Sequence, residues 1–335
     1  MPATVNDTPP DTLDRPLHVL IPWAAGLADD SVRALAQLDD AARLPHLHQL
    51  LSRLTQQTWH HGDEYTLTPP HEALWSQALG WTLPPSGQAP WAAHLARADG
   101  LPVAEHEAWG LLTPGHWYMG RDHLTVLHPD ELQLSEAESR ALLDAVRHLF
   151  ESEGWTLHWG APTRWYACHD TLADLPTASL DRVLGRNPDV WMPEHPQARL
   201  IRRLQAEVQM LLYQHPINDE RSERGVFTVN SFWLSGCGRA QPIQASHSLQ
   251  VLDGPRQALL RADLDAWLAA WDALEREALP RLTEALQAGR DVRLSLGGER
   301  HALTLSAPTS GPWWQRAMAR LRPRQVLPSS VLQSL

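Results

Sequence analysis

Residues 200–239 place a helix, a charged connector and a strand in immediate succession, which requires a fold that combines helices with β-structure. Apolar residues recur at three- and four-residue steps in residues 200–214 and predict an amphipathic helix. Pro216 cannot extend this helix, and residues 218–224 follow as a charged connector. The β-forming residues of 226–234 predict a strand. The sequence Ser-Gly-Cys-Gly-Arg at 235–239 predicts a glycine-rich loop after that strand.

The same stretch holds the densest cluster of polar side chains in the chain, and it is the first candidate for a ligand site. Arginine binds oxyanions through paired N–H groups, so its arginines predict a small anion as the ligand. Gly236 and Gly238 carry no Cβ and would let a ligand approach backbone N–H groups. The predicted ligand-binding residues, including two arginines upstream, are Arg182, Arg186, Asn218, Arg221, Arg224, Asn230, Ser231 and Arg239.

Two other interpretations of this cluster stay open. The two glycines can form a tight turn after a core strand, with Asn230 and Ser231 bonding local backbone groups. A binding site requires at least two arginines that converge on one concavity reached by solvent. Alternatively, the arginines pair internally with the neighbouring acids Asp181, Asp219, Glu220 and Glu223.

Composition limits the chemistry of any site. The formal net charge of −11 argues against nucleic acid as a partner, because phosphate binding needs a basic surface. All 28 basic residues are arginine, which excludes a Schiff-base lysine, a pyridoxal-phosphate site and a nucleotide P-loop lysine. Cys168 and Cys237 form no zinc or redox motif.

The chain shows no targeting or membrane signal. Its start is polar and proline-rich, and it contains no apolar run of about 18 residues, so we expect a cytoplasmic protein with no membrane partner.

The 18 histidines of the chain raise the question of a metal site, but none has the H-E-x-x-H spacing. We expect hydrogen-bonded or exposed side chains at the densest histidine positions, His46, His48, His60, His61, His116, His123 and His128.

The remaining pattern predicts an α/β fold. Residues 17–23 read as a buried strand followed by a helix, and 134–153 as a helix that begins with the capping box Ser135-x-x-Glu138 and ends at Gly154. Residues 108–168 predict a β-β-α-β-β unit, 263–286 one long helix, and 292–305 a hairpin. We expect a core from 16–100 and 197–306, an inserted α+β subdomain at 101–196, and tails at 1–15 and 307–335.

Several segments resemble a known family. The helix LPHLHQL, the run HPDELQLSEAESRALLDAVRHLFESEGWTLHWGAPTRWY and the run HPINDERSERGVFTVNSFWLSGCGR are similar to archaeal-type cofactor-independent phosphoglycerate mutases. LDRVLGR, RLQAEVQMLLYQHPIND and the run from Arg224 to Gly238 are more similar to RpfE-type bacterial regulatory proteins. The resemblance spans most of residues 17–305. It implies an alkaline-phosphatase-like core sheet flanked by helices, with an inserted subdomain.

The mutases of this family transfer a phosphoryl group through a serine nucleophile and two divalent metals held by Asp and His. Here the first strand ends in Ile21-Pro22-Trp23-Ala24 without an Asp. The expected nucleophile region, residues 68–72, contains no serine, and Gly297-Gly298-Glu299-Arg300-His301 replaces the late Asp-His pattern. These departures predict a catalytically degenerate regulatory protein without a metal cofactor. Its partner would be a small phosphorylated or carboxylate metabolite, or a regulatory protein.

Two alternatives remain beside that prediction. The first is an active 2,3-bisphosphoglycerate-independent phosphoglycerate mutase, or a related phosphotransferase, with two divalent metals such as manganese or zinc. The second is a purely structural or interaction protein. Metal content combined with mutase activity separates the active enzyme from the degenerate relative.

Overall fold

The computed structural model describes residues 17–120, 123–192, 196, 198–244, 248–307 and 326–335. The predicted tail at 1–15 and most of that at 307–335 lie outside these residues. In chain order the strands are β1 (Leu17–Ile21), β2 (Gln56–His60), β3 (Ala108–Gly115), β4 (Trp117–Met119), β5 (Leu124–Val126), β6 (Thr156–Ala161), β7 (Arg164–Cys168), β8 (Ser231–Arg239), β9 (Ser248–Val251), β10 (Val292–Gly297) and β11 (Ala302–Ser306). The α-helices are α1 (Asp29–Leu35), α2 (Pro45–Arg53), α3 (Pro70–Ala78), α4 (Trp91–Ala98), α5 (Glu136–Glu151), α6 (Ala198–Tyr213), α7 (Pro216–Glu223), α8 (Gly254–Leu259), α9 (Leu264–Glu277), α10 (Leu279–Gln287) and α11 (Pro328–Leu332).

The described chain forms two compact units. The middle unit contains Thr66–Thr68 and Trp81–Ile243, and the terminal unit contains residues 17–65, Pro69–Gly80 and the described residues from Gln244 onward. The segment predicted as an inserted subdomain, 101–196, lies within the middle unit, which also includes β8 and the helices α6 and α7. The domain bounds expected from the sequence stay a prediction.

The terminal unit is built on a mixed five-stranded sheet in the order β2-β11-β10-β1-β9. β1 lies between β10 and β9 and runs parallel to both. β11 and β2 continue the sheet with antiparallel pairing. A parallel strand in the centre of a sheet is buried on both faces, and the apolar sequence of β1 agrees with that position.

Helices cover both faces of the terminal sheet. Val19 and Ile21 face a core that also contains buried residues of α2, α9 and α10, among them Trp271. Leu20 points to the other face, where it packs near Leu74 of α3. Successive side chains of a strand alternate between faces, so β1 contributes to both cores.

A row of hydrogen-bonded side chains crosses four strands of the terminal sheet. His18 Nε2 on β1 lies 2.8 Å from Ser295 Oγ on β10, and Ser295 Oγ lies 2.8 Å from Thr304 Oγ1 on β11. Thr304 Oγ1 in turn lies 3.4 Å from His60 Nε2 on β2. Burial, with a smaller contribution from the neighbouring His61, lowers the pKa of His60. This row gives the α3 side of the sheet a polar segment.

The middle unit contains an antiparallel four-stranded sheet in the order β6-β7-β3-β8 and a two-stranded sheet of β4 and β5. β3 is buried along its whole length, which fits its position between β7 and β8. Within the predicted β-β-α-β-β unit at 108–168, the helix and the two strands after it are confirmed, but three strands precede the helix instead of two, since β3 ends at Gly115 and β4 pairs with β5.

Helix α5 is anchored at its start and along its side. Ser135 and Glu138 form the predicted capping box, so the predicted start of the helix is confirmed. On the side of the helix, the buried Ser139 hydroxyl accepts from the indole N–H groups of Trp159 at 3.0 Å and Trp165 at 2.8 Å. This hydroxyl therefore joins α5 to the β6–β7 hairpin.

Three predicted boundaries were wrong. The predicted strand at 226–234 begins at Ser231 and continues through the expected glycine-rich exit to Arg239. The charged connector is helix α7, since Pro216 needs no N–H partner in a first turn and His215 accepts from Ile217 N as the N-cap. The long helix at 263–286 is two helices, α9 and α10, because Pro280 cannot donate to the preceding turn.

One strand was missed altogether. The sequence patterns predict no strand here, but β2 forms at Gln56–His60 and pairs with β11. Its polar sequence shows no apolar alternation, because β2 lies at the edge of the sheet.

The predicted fold class is confirmed as α/β, with a central sheet flanked by helices. Among the described residues, no helix has the length and apolar character needed to span a membrane.

Candidate functional site

The eight predicted ligand-binding residues all lie in the middle unit. The structure brings three of them together on or beside helix α7. Arg221 is fully buried, at 0% exposure, and its Nη1 lies 2.9 Å from Glu138 Oε1 of α5. Arg224, whose side chain is 57% exposed, pairs with the same oxygen of Glu138. Two arginines thus converge on one internal carboxylate.

Arg221 is fixed by the backbone as well as by this carboxylate. Its Nε donates to Phe227 O at 2.9 Å, and its Nη2 donates to Leu132 O. A guanidinium with acceptors on several sides is oriented by the fold, and burial makes its ion pair with Glu138 costly to break. Arg221 therefore ties the start of α5 to the segment after α7.

Glu138 is the residue that this cluster shares, and it was not among the predicted site residues. Burial alone would raise the pKa of its carboxyl. Hydrogen bonds from Ser135, together with Arg224 and Arg221, outweigh burial and lower the pKa to about 2. The capping-box motif identified Glu138 as a helix cap, but no local pattern indicates that two arginines over eighty residues later share its second oxygen.

Both asparagines of the prediction bond to the backbone. Asn218 is buried, and its Nδ2 donates to Leu212 O at 2.8 Å and to Val229 O at 2.7 Å, while its Oδ1 accepts from Val229 N. Asn230 Oδ1 accepts from Trp117 N, and its Nδ2 donates to Trp117 O, both at 2.8 Å. The two amides thus hold residues 226–230 in place before β8 begins.

The other predicted residues lie apart from α7. Ser231 is buried at the start of β8, and Arg239 lies at the opposite end, where it donates to His106 O and has Asp170 at 3.5 Å. Arg182 is buried and donates to Thr66 O at 2.9 Å and Thr66 Oγ1 at 2.8 Å. Arg186 is half-buried in the segment that follows. Ligand binding by these residues stays a prediction.

Gly236 and Gly238 of β8 lie directly against the start of α4. Gly236 has a φ of 62°, and a Cβ there would lie 2.9 Å from Ala92 N. A Cβ at Gly238 would lie 2.8 Å from Pro90 Cβ. The start of α4 thus lies on the side where a Cβ would project, and ligand binding at these glycines stays a prediction. The left-handed Gly236 lies where the β3–β8 register shifts, as in a glycine bulge.

The terminal unit has its own candidate position. In α/β sheets, ligands bind beyond the carboxyl ends of parallel strands. At that end of β1, Trp23 is 4% exposed and has a left-handed φ of 53°. Its carbonyl accepts from the indole of Trp267 at 3.2 Å, and Ala24 N donates to Gly297 O at 2.8 Å. This strand end is therefore filled by packed side chains and backbone hydrogen bonds.

From Pro69 onward, the region expected to hold a nucleophile lies in the terminal unit. It forms the first turn of α3, where His71 and Glu72 are buried. A Cβ on Gly297 would lie 2.9 Å from His71 Cβ, so this turn lies directly against the end of β10. The first serine of the segment, Ser76, is buried and donates to Glu72 O at 2.7 Å.

The residues at the end of β1 do not fit two divalent metals. Such ions need several oxygen or imidazole ligands each, with carboxylates to balance their charge. Trp23, Ala24 and Ala25 offer no side-chain ligand. A carboxylate of the terminal unit, Glu299, reaches this loop, and its Oε1 accepts from Leu27 N at 2.9 Å.

Histidines that the sequence singled out have protein partners. His46 Nδ1 lies 2.6 Å from Glu275 Oε1, and His48 Nε2 lies 3.1 Å from Leu38 O. His116 Nδ1 lies 2.8 Å from Thr228 O. Hydrogen-bonded histidines were the expectation for these positions, and for these three it is confirmed.

Comparison with known proteins gives structural likeness alone. No model of a protein family matches the chain, and no curated protein matches it. Among solved structures it is similar to a cofactor-independent phosphoglycerate mutase from Thermoplasma acidophilum DSM 1728, with 14% identity, 95% of this chain and 99% of that chain covered, and a TM-score of 0.35. It is also similar to the PH0037 protein from Pyrococcus horikoshii, with 13% identity, 88% of each chain covered and a TM-score of 0.44.

Proposed function

We propose that this chain is a phosphoglycerate mutase-like regulatory protein of the RpfE type that has lost catalysis and acts in the cytoplasm by binding a small anion or a protein partner. The observation that carries the proposal is the end of β1. A buried, left-handed Trp23 stands at the position where the resembling mutases place a metal-binding Asp.

The packing around Trp23 supports this proposal. A tryptophan in left-handed geometry costs free energy that surrounding contacts must offset. Here the bond from Trp267 to its carbonyl and the pairing of Ala24 with Gly297 supply such contacts. The buried side chains Trp23, Ala24 and Ala25 supply no charged ligand at this point, which supports the proposal.

For the anion, Arg224 is the proposed anchor. Its guanidinium is exposed, whereas Arg221 and Arg182 are buried and donate to backbone carbonyls. A phosphate or carboxylate that approaches Arg224 would share it with Glu138, and Arg221 would hold Glu138 in position. The class of ligand is thus a small phosphorylated or carboxylate metabolite.

Two measurements on the purified protein test the loss of catalysis. Elemental analysis is expected to find no stoichiometric manganese or zinc, and an enolase-coupled assay is expected to find no interconversion of 3- and 2-phosphoglycerate with or without added manganese. Stoichiometric metal together with turnover would overturn the proposal and establish the active mutase instead.

A titration tests the anion. Calorimetry with inorganic phosphate and with 3-phosphoglycerate is expected to show binding that weakens at least tenfold in Arg224→Gln. Arg33→Gln is the matched control, since Arg33 is an exposed arginine paired with Asp30 in the terminal unit. An unchanged affinity in Arg224→Gln, or no binding of either compound to the native protein, would remove the anion from the proposal.

A further inference from the structure

Glu275 of helix α9 is a buried carboxylate whose two oxygens bind the start of helix α2. Its side chain is 8% exposed. Oε1 accepts from His46 N at 2.7 Å, and Oε2 accepts from Leu47 N at 3.1 Å. These N–H groups lie in the first turn of α2, where no helical carbonyl can accept from them. Capping of α2 therefore accounts for two hydrogen bonds of Glu275, but not for a third.

The third hydrogen bond joins Glu275 to the imidazole of His46. Nδ1 of this ring lies 2.6 Å from Glu275 Oε1. Because a carboxylate accepts, Nδ1 carries the proton and donates, and Nε2 of the neutral ring keeps its lone pair. Nε2 makes no hydrogen bond to a described residue, and the side chain is 36% exposed. The His46–Glu275 pair thus presents an oriented lone pair to solvent.

The His46–Glu275 pair has the chemistry of a nucleophile more than that of a metal site. A carboxylate that accepts from one ring nitrogen makes the other nitrogen more basic and stabilises a positive charge on the ring. A metal site in a protein needs further ligands beside Nε2. Among the residues that the structure describes, no group of three potential metal ligands includes His46. An electrophile that bonds to Nε2 alone fits this arrangement better.

A second ion pair supplies a cation beside the first. Arg43 Nε and Nη2 donate to the two oxygens of Asp272 at 2.7 and 2.8 Å. Asp272 and Glu275 are three residues apart on α9, so they lie on one face of the helix with Cβ atoms about 5–6 Å apart. Arg43 and His46, which they hold, are therefore neighbours. Arg43 Nη1 makes no hydrogen bond within the described chain, so it can donate to an anionic group on His46.

We propose that His46 is a phosphoryl-acceptor site that is modified on Nε2, with Glu275 as the residue that positions its ring. The donor class is an N-phosphoryl compound, in which phosphorus is bonded to a protonated nitrogen. The site lies in the terminal unit and does not depend on the anion site at Arg224 in the middle unit.

The transfer is one displacement at phosphorus. The lone pair of His46 Nε2 forms the new N–P bond while the N–P bond of the donor breaks, and the donor nitrogen leaves as a neutral amine. The proton on Nδ1 stays in place, so the ring becomes positive, and the carboxylate of Glu275 stabilises that charge. Arg43 Nη1 donates to an oxygen of the transferred phosphoryl group.

A comparison of two histidines in the unaltered protein tests the site. His148 of α5 is exposed, and its Nδ1 lies 3.0 Å from the carbonyl oxygen of Ala145 instead of a carboxylate. The protein is treated with phosphoramidate, and the modified histidines are located by tandem mass spectrometry at neutral pH. His46 is expected to be phosphorylated at least tenfold faster than His148. Phosphorylation of His46 at the rate of His148, or more slowly, would overturn the proposal.

Glu275→Gln tests the positioning residue. The variant loses the charge but keeps an oxygen that can accept from the start of α2. The rate at His46 is expected to fall at least tenfold, while the rate at His148 in the same sample stays the same. A loss of structure would change both rates, so the ratio of the two reports on the pair alone. An unchanged ratio in a variant that is folded by circular dichroism would remove Glu275 from the proposal.

Nitrogen NMR tests the orientation of the ring without altering the pair. In the unaltered protein at a pH where the imidazole is neutral, the spectrum of His46 is expected to show a proton on Nδ1 and none on Nε2. His46→Asn assigns the two signals by their loss. A proton on Nε2 would overturn the proposal, because a protonated nitrogen has no lone pair with which to attack phosphorus.

Discussion

The arginine cluster of the middle unit and the end of β1 in the terminal unit differ in the side chains that fill them. The cluster is polar, but its groups bond to one another: Arg221 and Arg224 share Glu138, and Asn218 bonds the backbone. At the end of β1 the buried side chain is an apolar one, Trp23. The comparison shows polar groups that are held by one another in the cluster and apolar packing at the strand end.

The largest expected loss of stability is at the end of β1. Trp23→Ala removes a buried indole and is expected to lower the free energy of unfolding by about 4 kcal/mol, as measured by urea denaturation. Tyr65→Ala is the control, because Tyr65 is exposed, and it is expected to change stability by less than about 0.5 kcal/mol. A Trp23 variant as stable as the control would indicate an open pocket rather than a packed strand end.

The next effect concerns the cluster. Glu138→Ala leaves the buried Arg221 without its carboxylate and is expected to cost about 3 kcal/mol by the same measurement. Glu136→Ala, two positions earlier on the same helix, removes an exposed partner of Arg140 and is expected to cost about 0.5 kcal/mol or less. Equal losses in the two variants would show that the cluster contributes no more than an ordinary surface pair.

Acidification tests the same cluster without breaking the helix. The folded-state pKa of Glu138 is about 2 and lies below its ordinary value of 4.5, so the folded protein binds this proton less readily than the unfolded chain does. The resulting stability is fully present above pH 4.5 and is lost as the pH falls toward 2. The stability difference between the unaltered protein and Glu138→Gln is therefore expected to shrink between pH 5 and pH 2. A difference that is constant over this range would contradict the depressed pKa.

Sequence patterns predicted the parts of this fold whose cause is local. The capping box places the start of α5 because the two partners, Ser135 and Glu138, are three residues apart. β2 was missed, and the length of β8 was wrong, because both depend on a partner strand far away in the sequence. At the candidate site the arginines were visible, but their shared acceptor Glu138 lies more than eighty residues upstream. Pairing over such distances is set by the tertiary fold, which no local periodicity encodes.

The smallest expected loss of stability is at the N-cap of α5. Ser135 Oγ accepts from Glu138 N at 3.3 Å and donates to Glu138 Oε2 at 2.6 Å, so it satisfies the helix start and orients the carboxylate that holds both arginines. Ser135→Ala is expected to cost about 1 kcal/mol in urea denaturation. Ser152→Ala at the other end of α5 removes an exposed hydroxyl that donates to Leu149 O, and it is expected to cost less than about 0.5 kcal/mol. Because the cap and the ion pairs share Glu138, the effects of Ser135→Ala and Glu138→Ala are expected to be non-additive in the double variant. Additive losses would mean that the cap acts on α5 alone and that the arginine cluster is oriented without it.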